Sequence, residues 1–169
     1  DRVKGGFATA PKFPMSIYCD FLMEAGWETP QVKEAVKLTL DEMLMGGMYD
    51  QVGGGFHRYS TDANWLVPHF EKMLYDNGQL VSTYANAYER TGETTYARVI
   101  EETLAYVNRE LSAPDGGFFS AQDAETNHLE GETYLWRDAE FVEVLNDAGL
   151  GDDVKFARAV YGINQGTNF

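Results

Sequence analysis

Apolar residues recur every three or four positions over six stretches of the chain. This spacing lines up apolar side chains along one face of a helix, and it predicts six α-helices. The predicted helices lie at about 15–26, 31–46, 68–91, 94–112, 137–149 and 152–161. In the second of them Val32, Val36 and Leu40 follow one stripe, and the flanking residues Pro30 and Gly46 are typical of a helix start and a helix end.

The connections between the predicted helices alternate in length. Short turns join the helices into three αα-hairpins, and long connections separate one hairpin from the next. The turns lie at 27–30, 91–94 and 149–151, and the long connections at 47–67 and 113–136. Because successive helices run antiparallel, the long connections should leave on one side, in phase with the terminal segments 1–14 and 162–169. We therefore predict an all-α fold whose irregular segments share one face, where function usually lies.

The long connections share a short motif, which indicates an internal repeat. The tripeptide GGF occurs at 5–7, 54–56 and 116–118. Its spacing of about 50 to 60 residues matches one hairpin plus one loop of a helical-repeat protein. Glycine pairs of this kind favour positive φ, and we expect the following Phe to anchor each loop. The stretches GFHRYS, GGFFSA and ETYLW are weak strand signals that predict small β-hairpins inside the loops.

The connection at 47–67 and the start of the third predicted helix hold two of the chain's three histidines, His57 and His69. Pro68 suits the first position of a helix, because no amide donor is needed there. His69 is then predicted in the first helical turn, where the positive end of the helix dipole favours its neutral form. Asn77 falls on the apolar stripe of this helix, so burial would oblige its amide to find hydrogen-bond partners.

Further polar groups lie close to these histidines. Lys72 and Asp76 follow His69 along the same flank of the predicted helix, although they could also form a simple i,i+4 ion pair. The preceding loop adds Asp50, His57, Arg58, Tyr59, Asp62 and Trp65. This grouping of acids, bases and aromatic rings predicts a site at the start of the helix.

Two kinds of sugar chemistry suit this set of residues. Paired carboxylates support glycoside cleavage, whereas histidines support proton abstraction next to a carbonyl, as in sugar epimerisation or isomerisation. Aromatic rings would give a sugar an apolar wall, and amide and guanidinium groups would bind its hydroxyls. We assign catalysis to His57, His69, Asp50 and Asp76, and ligand binding to Arg58, Tyr59, Trp65, Lys72 and Asn77.

Composition narrows the classes of partner. The formal charge of -14 argues against nucleic acid, because phosphate binding needs clustered basic side chains. The acids gather in the C-terminal third, including Glu130 and Glu132, and are interpreted as a solvated face. The single cysteine, Cys19, is predicted to lie in a helix and to face the core.

Several other features are expected to be missing. The sequence has no apolar run of transmembrane length and no signal-peptide pattern, so we expect a cytoplasmic protein without membrane contact. His57 and His69 with nearby acids could bind a metal, but HExxH, CxxC and EF-hand spacings are absent. We therefore expect neither a metal nor a cofactor. The first residues DRVKGGF resemble the cut edge of a longer chain.

Three segments resemble one known family. GGFATAPKFP, GGMYDQVGGGFHRYSTDANWLVPHFEKMLYDNGQL and GGFFSAQDAE with EGETYLW are similar to the region after the thioredoxin-like domain in the family of YyaL and spermatogenesis-associated protein 20. The closing stretch YGINQGTNF resembles a Gly-Asn segment of the same family.

The resemblance carries expectations about fold and site. It implies an (α/α)6 toroid similar to N-acylglucosamine 2-epimerases and six-hairpin glycosidases, of which residues 1–169 would form one partial domain of about three hairpins. It also adds Glu71, Tyr75 and Asp123 to the ligand-binding residues, although the AQDAE stretch around Asp123 departs from the family's more usual ADADSEG.

Three functions are compatible with these expectations. The first is a carbohydrate-active enzyme of epimerase, isomerase or glycosidase type, with its pocket on the long-loop face. The second is a non-catalytic module that binds a ligand or partner beside a thioredoxin-like domain. The third is a structural scaffold without a saturable ligand. Half a toroid would also expose apolar edges that favour self-association.

Overall fold

The helices of the structure follow the apolar segments of the sequence closely. The structure is a computed structural model that describes residues 1–166. Within that range the α-helices are α1 Ser16–Gly26, α2 Pro30–Met45, α3 Leu74–Thr91, α4 Thr94–Tyr106, α5 Asp138–Asp147 and α6 Val154–Val160. A π-helical turn, Val107–Leu111, extends α4, and short 3-10 helices cover Gly151–Asp153 and Ile163–Gln165. The end of YGINQGTNF, residues 167–169, lies outside the described residues.

The chain divides into two compact units. The first spans residues 1–130 and contains the hairpins α1–α2 and α3–α4; the second begins at Gly131 and contains α5 and α6.

Local sequence accounts for several helix ends. Pro30 occupies the first position of α2, and Gly92 closes α3 in the left-handed conformation, with its N–H donating to the carbonyl of Tyr88 at 2.8 Å.

The predicted start of the third helix is wrong by six residues. Helix α3 begins at Leu74, whereas the sequence places its start at Pro68. Residues 68–69 and 72–73 form short strands instead: β1 (Tyr59–Ser60) pairs with β2 (Pro68–His69), and β3 (Lys72–Met73) pairs with β4 (Ala121–Gln122). The β1–β2 pairing is local and the β3–β4 pairing joins segments that are distant in sequence; both hold the backbone extended where the periodicity favours a helix. His69 therefore lies in a strand rather than in a helical turn.

Backbone pairing between successive loops builds one continuous surface in the first unit. Lys12 of the N-terminal segment bridges to Ser60, and the β3–β4 pair then joins the 46–73 loop to the 112–130 segment. The hairpin of β5 (Glu125–Thr126) and β6 (Leu129–Glu130) completes this surface. The shared loop face is thus confirmed within this unit, as are small β-hairpins. The ETYLW stretch at 132–136, by contrast, forms a turn and not a strand.

The three GGF motifs agree in backbone conformation but not in packing. Both glycines of each motif have positive φ, for example 75° at Gly54 and 80° at Gly55. Phe56 is fully buried and stacks on Tyr84 with ring centroids 5.4 Å apart. Phe7 and Phe118 are 42% and 54% exposed, so the expectation that each Phe anchors its loop is wrong for these two.

A buried lysine holds the second GGF loop. Lys72 is 1% exposed, and its Nζ donates to Asp50 Oδ2 at 2.8 Å and to the Gly54 carbonyl at 2.9 Å. The ammonium also lies 4.3 Å from the centre of the Tyr106 ring. Asp50 Oδ1 in turn accepts hydrogen bonds from the N–H groups of the two residues before Gly54. The cation therefore closes the turn that the two glycines shape.

The first GGF loop repeats this arrangement. Lys12 Nζ donates to Asp1 Oδ2 and to the Gly5 carbonyl, both at 2.8 Å, and lies 5.3 Å from the centre of the Trp65 ring. Asp1 Oδ1 accepts hydrogen bonds from two following N–H groups, as Asp50 does. The segments DRVKGGF and DQVGGGF therefore form the same lysine-closed turn, which confirms the internal repeat for these two loops.

Four helices and the 46–73 loop share the core of the first unit. Buried apolar side chains come from each of them: Cys19, Met23, Val36, Leu40, Met43, Leu44, Met48, Tyr49, Phe56, Trp65, Leu80, Tyr84, Ala87, Tyr96 and Val99. The predicted core position of Cys19 is confirmed, and burial raises the pKa of its thiol to about 12. An apolar patch formed by Phe7, Ile17, Tyr18 and Phe21 stays exposed on α1 and beside it, and self-association through it stays a prediction.

We expect the substitution Lys72→Met to destabilise the chain by about 3 to 5 kcal/mol, because it leaves the Asp50 carboxylate and the Gly54 carbonyl without their cation. The measurement is the free energy of unfolding in urea. Lys37→Met is the matched control, because Lys37 forms an exposed ion pair with Glu93 and its loss should cost less than about 1 kcal/mol.

The double variant Lys72→Met/Asp50→Asn separates charge from packing. Asp50→Asn removes the carboxylate that Lys72→Met leaves without its cation. It should therefore restore part of the free energy of unfolding that Lys72→Met loses. If Lys72→Met and Lys37→Met lowered the free energy of unfolding equally, the structural role given to Lys72 would be contradicted.

Candidate functional site

Of the two predicted catalytic histidines, His69 is the one that is accessible on the loop face. Its ring lies among polar groups from four short segments, which we call the His69 cluster. The cluster consists of Arg58, Tyr59, His69, Glu71, Asp76 and Glu130. The β1–β2 ladder sets its base, because Tyr59 and His69 are directly paired residues of the two strands.

Both nitrogens of the His69 ring face carboxylates. Nδ1 lies 2.7 Å from Glu130 Oε1, and Nε2 lies 3.8 Å from Glu71 Oε2. The ring also stacks on Tyr59, with centroids 5.0 Å apart and an interplanar angle of 23°. The side chain remains 28% exposed, so the ring is held on three sides and open to a ligand on the rest. Acid–base chemistry needs this combination of fixed orientation and access.

Arg58 and Glu71 form the cationic and anionic neighbours of His69. Arg58 NH1 donates to Glu71 Oε2 at 2.8 Å, and the backbone N–H of Arg58 donates to the Glu71 carbonyl at 2.8 Å. Tyr75 in the first turn of α3 is half-exposed close by, and it acts electrostatically on Arg58. Glu71 and Tyr75, which the family resemblance adds to the site, thus lie beside Arg58, which the grouping of residues in the sequence predicts.

Asp76 has the most perturbed carboxyl group of the cluster. Burial raises its pKa to about 6, the Arg58 charge opposes this shift, and the Glu71 charge adds to it. Its Oδ2 is buried and has no hydrogen-bond partner among the described residues. A carboxyl group that changes charge near neutral pH can donate or accept a proton under ordinary conditions.

His57 occupies a very different environment from His69. It is 2% exposed, and its Nδ1 lies 3.0 Å from the Phe70 carbonyl, which can only accept, so Nδ1 carries the proton. Burial and the nearby Lys72 charge lower the pKa of His57 to about 3. The ring is therefore neutral at physiological pH and enclosed by the loop that it supports.

Three further predicted residues hold the same loop. Burial raises the pKa of Asp50, but the Lys72 ammonium and two backbone N–H groups outweigh it, so the pKa lies below its usual value. The fully buried Asn77 accepts from the Phe56 N–H at 2.7 Å and donates to the Phe56 carbonyl at 3.0 Å. The expectation that a buried Asn77 finds partners is confirmed. The catalytic role assigned to Asp50 and the ligand roles assigned to Lys72 and Asn77 stay predictions.

The structure does not bring the last two predicted residues into the His69 cluster. Trp65 is fully buried, and its Nε1 donates to the Lys4 carbonyl at 2.7 Å. Asp123 is exposed, and its Oδ1 accepts from the N–H of Glu125 at 3.1 Å. Their ligand-binding roles stay predictions, and the structure shows other contacts for both.

Sequence reasoning missed Glu130, which it assigned to a solvated acidic face. The β5–β6 hairpin places this carboxylate against His69, 61 positions earlier in the chain. The EGE triplet at 130–132, which belongs to the family resemblance, is the signal that could have drawn attention to it.

Two features are absent from the part of the chain that the structure describes. No group of three or more His, Cys, Asp or Glu side chains among residues 1–166 is placed to hold a metal ion. Within the same range, no helix combines the length and the apolar character needed to cross a membrane.

The fold is that of the sugar-epimerase (α/α) toroids. The structure matches a cellobiose 2-epimerase from Spirochaeta thermophila with a TM-score of 0.63 and 17% identity, over 95% of this chain and 47% of that one. It matches a sugar epimerase from a ruminal bacterium with a TM-score of 0.61 and 13% identity, over 92% and 48%. A D-mannose isomerase matches with a TM-score of 0.52 and 17% identity, over 70% and 30%. The predicted toroid fold is thus confirmed, with about half of a ring in this chain.

Sequence relatives identify the family. The chain is 42% identical to human spermatogenesis-associated protein 20 over 164 residues, which cover 89% of this chain and 21% of the relative. The mouse protein of the same name is 41% identical over 164 residues, again 89% and 21%. No family model matches the chain. The chain is therefore a homologue of spermatogenesis-associated protein 20, and it spans about a fifth of the length of these relatives.

The raised pKa of Asp76 predicts a pH-dependent stability. Its folded-state pKa of about 6 exceeds the ordinary value of 3.8, so the folded state binds more protons between these limits. Stability contributed by this group is then fully present at low pH and is lost as pH rises through the folded-state pKa. As pH rises through the folded-state pKa, the free energy of unfolding of Asp76→Asn should increase relative to that of wild type. Urea unfolding at successive pH values measures this difference. Asp115→Asn, at an exposed carboxyl, is the control, and equal pH slopes for the two variants would contradict the assignment.

Proposed function

We propose that this chain forms part of a sugar-binding site in which the His69 cluster transfers protons next to a carbonyl. The observation that carries the proposal is the partly exposed His69 ring, held between the carboxylates of Glu130 and Glu71. The toroid fold supports it, because a cellobiose 2-epimerase and a D-mannose isomerase share that fold. Isomerase-type chemistry is favoured over glycoside cleavage because the accessible cluster is organised around an imidazole rather than around two facing carboxylates.

The proposed chemistry assigns roles to three groups of the cluster. The His69 Nε2 removes the proton from the carbon next to the carbonyl of an open-chain sugar, which leaves an enediol. Return of a proton from solvent to the opposite face of the same carbon inverts that carbon, and return of a proton to the former carbonyl carbon moves the carbonyl along the chain. Asp76, with a pKa near 6, exchanges a proton with the sugar oxygen, and Arg58 binds the developing negative charge.

Deuterium exchange tests this chemistry whichever product forms. The full chain is incubated in D2O with a panel of aldoses and ketoses, and deuterium at the carbon next to the carbonyl is followed by proton NMR. We expect incorporation with at least one sugar, and a loss on the order of 10²-fold or more in His69→Gln. Thermal shift in the same panel identifies the sugars that bind, because a true ligand stabilises the folded state.

The third histidine supplies the matched control. His128 lies exposed in the turn between β5 and β6, so His128→Gln makes the same chemical change outside the cluster. It should leave deuterium incorporation unchanged. Wild-type rates in His69→Gln would sink the proposal, and they would do so whichever sugar was used.

A binding module without turnover is the second candidate function. It is favoured by two observations on the four predicted catalytic residues: Asp50 is engaged in the lysine-closed turn, and His57 is buried. In this case the His69 cluster binds a sugar-like ligand or a partner, and a thioredoxin-like domain elsewhere in a longer protein supplies any redox activity. Saturable thermal shift with no deuterium incorporation would select this candidate. A cytoplasmic location stays a prediction under either candidate.

A further inference from the structure

The contact between Glu130 and His69 is the longest-range polar contact of the cluster. Glu130 belongs to β6, where it pairs across the hairpin with Glu125, and its Oε1 lies 2.7 Å from His69 Nδ1. The same oxygen also accepts from the backbone N–H of Phe70 at 3.4 Å. Two donors thus hold the carboxylate: the Nδ1–H group of His69 and the backbone N–H of Phe70.

This contact determines which ring nitrogen carries the proton. A carboxylate can only accept a hydrogen bond, so a 2.7 Å approach requires the proton on Nδ1 of His69. Nε2 then has the lone pair of the neutral ring, and it lies 3.8 Å from the Glu71 carboxylate. Nε2 is therefore the nitrogen that can accept a proton. Histidine bases in enzymes commonly rely on a carboxylate at the opposite nitrogen for this purpose.

Other contacts of the ring do not set its tautomer. Stacking on Tyr59 fixes the plane of the ring but does not distinguish its two nitrogens. Glu71 is engaged by Arg58 NH1 at 2.8 Å, and it lies beyond hydrogen-bond distance from Nε2. Glu130 is therefore the group that supplies a direct acceptor to His69.

We propose that Glu130 is a positioning residue that holds His69 as the Nδ1-protonated tautomer and directs the basic Nε2 toward the ligand. The role in turnover rests on the proposed function, whereas the tautomer does not. The β5–β6 hairpin thereby becomes a functional element, because it delivers a carboxylate to a histidine from another loop.

Nitrogen-15 NMR of the histidine side chains tests the proposal directly. The full chain is labelled with [15N]histidine and measured at alkaline pH, with the His69 signals assigned from His69→Gln. Wild type should show the Nδ1-protonated form of His69. Glu130→Ala should shift the population toward the Nε2-protonated form, which predominates in free neutral histidine. Glu125→Ala, on the paired strand, removes the same charge from the same hairpin and should leave the tautomer unchanged.

Activity gives a second and separable readout. With a sugar that incorporates deuterium, Glu130→Ala should lower kcat on the order of 10²-fold while KM changes by less than about threefold, because the residue acts on the base and not on the ligand. Glu130→Gln retains an acceptor oxygen and should keep the Nδ1-protonated form with an intermediate rate. A role limited to attaching the hairpin would leave the tautomer of Glu130→Ala as in wild type.

The outcomes distinguish this inference from the proposed function. An unchanged His69 tautomer in Glu130→Ala overturns the inference, even if sugars are turned over. A shifted tautomer in a protein that turns over no sugar supports the positioning role and overturns the enzymatic proposal alone. Circular dichroism and urea unfolding of Glu130→Ala show whether the fold persists. If it does not, Glu130→Leu, which removes the acceptor but keeps side-chain bulk, provides the tautomer measurement with the same expected shift.

Discussion

The loop face depends on the ammonium of Lys72, which is buried and must be satisfied inside the protein. The cation draws Asp50 and the Gly54 carbonyl to one point, and this closes the turn that carries Gly54 and Gly55 at positive φ. The closed turn directs Phe56 into the core. Because Lys72 also pairs with Gln122 in the β3–β4 ladder, one residue fixes a loop internally and joins it to the next. A buried cation in this position imposes geometry as much as it adds stability.

The extended backbone at 68–73 decides the electrostatics of the candidate site. A helix starting at Pro68 would have placed His69 in the field of the helix dipole, which disfavours a positive charge. In the structure His69 lies on a strand edge, and its nearest charged neighbours are the carboxylates of Glu130 and Glu71. Carboxylates, and not the N–H groups of a helix start, therefore face the ring. The six-residue difference in the helix start therefore changes which groups lie next to this histidine.

The sequence predicts what local patterns determine and misses what distant pairing determines. The apolar stripe through Val36 and Leu40 predicts α2 within one residue at each end, because helix burial follows the 3.6-residue period. The two-residue strands β2 and β3 carry no such period, and their partners lie at Tyr59–Ser60 and Ala121–Gln122. Glu130 was missed for the same reason, since its partner is a ring 61 positions away.

The 46–73 loop and the start of α3 are rich in polar residues for two physical reasons. His57 is an example of the first reason and His69 of the second. A glycine-rich loop that enters a core needs internal partners for its backbone groups, and Asn77 and Lys72 supply them. His57 belongs to this group, because its Nδ1 hydrogen-bonds to a backbone carbonyl and its ring is buried. His69 makes side-chain contacts to carboxylates and keeps part of its ring accessible. Partner type and exposure therefore distinguish the accessible histidine from the buried structural one where residue type and sequence spacing do not.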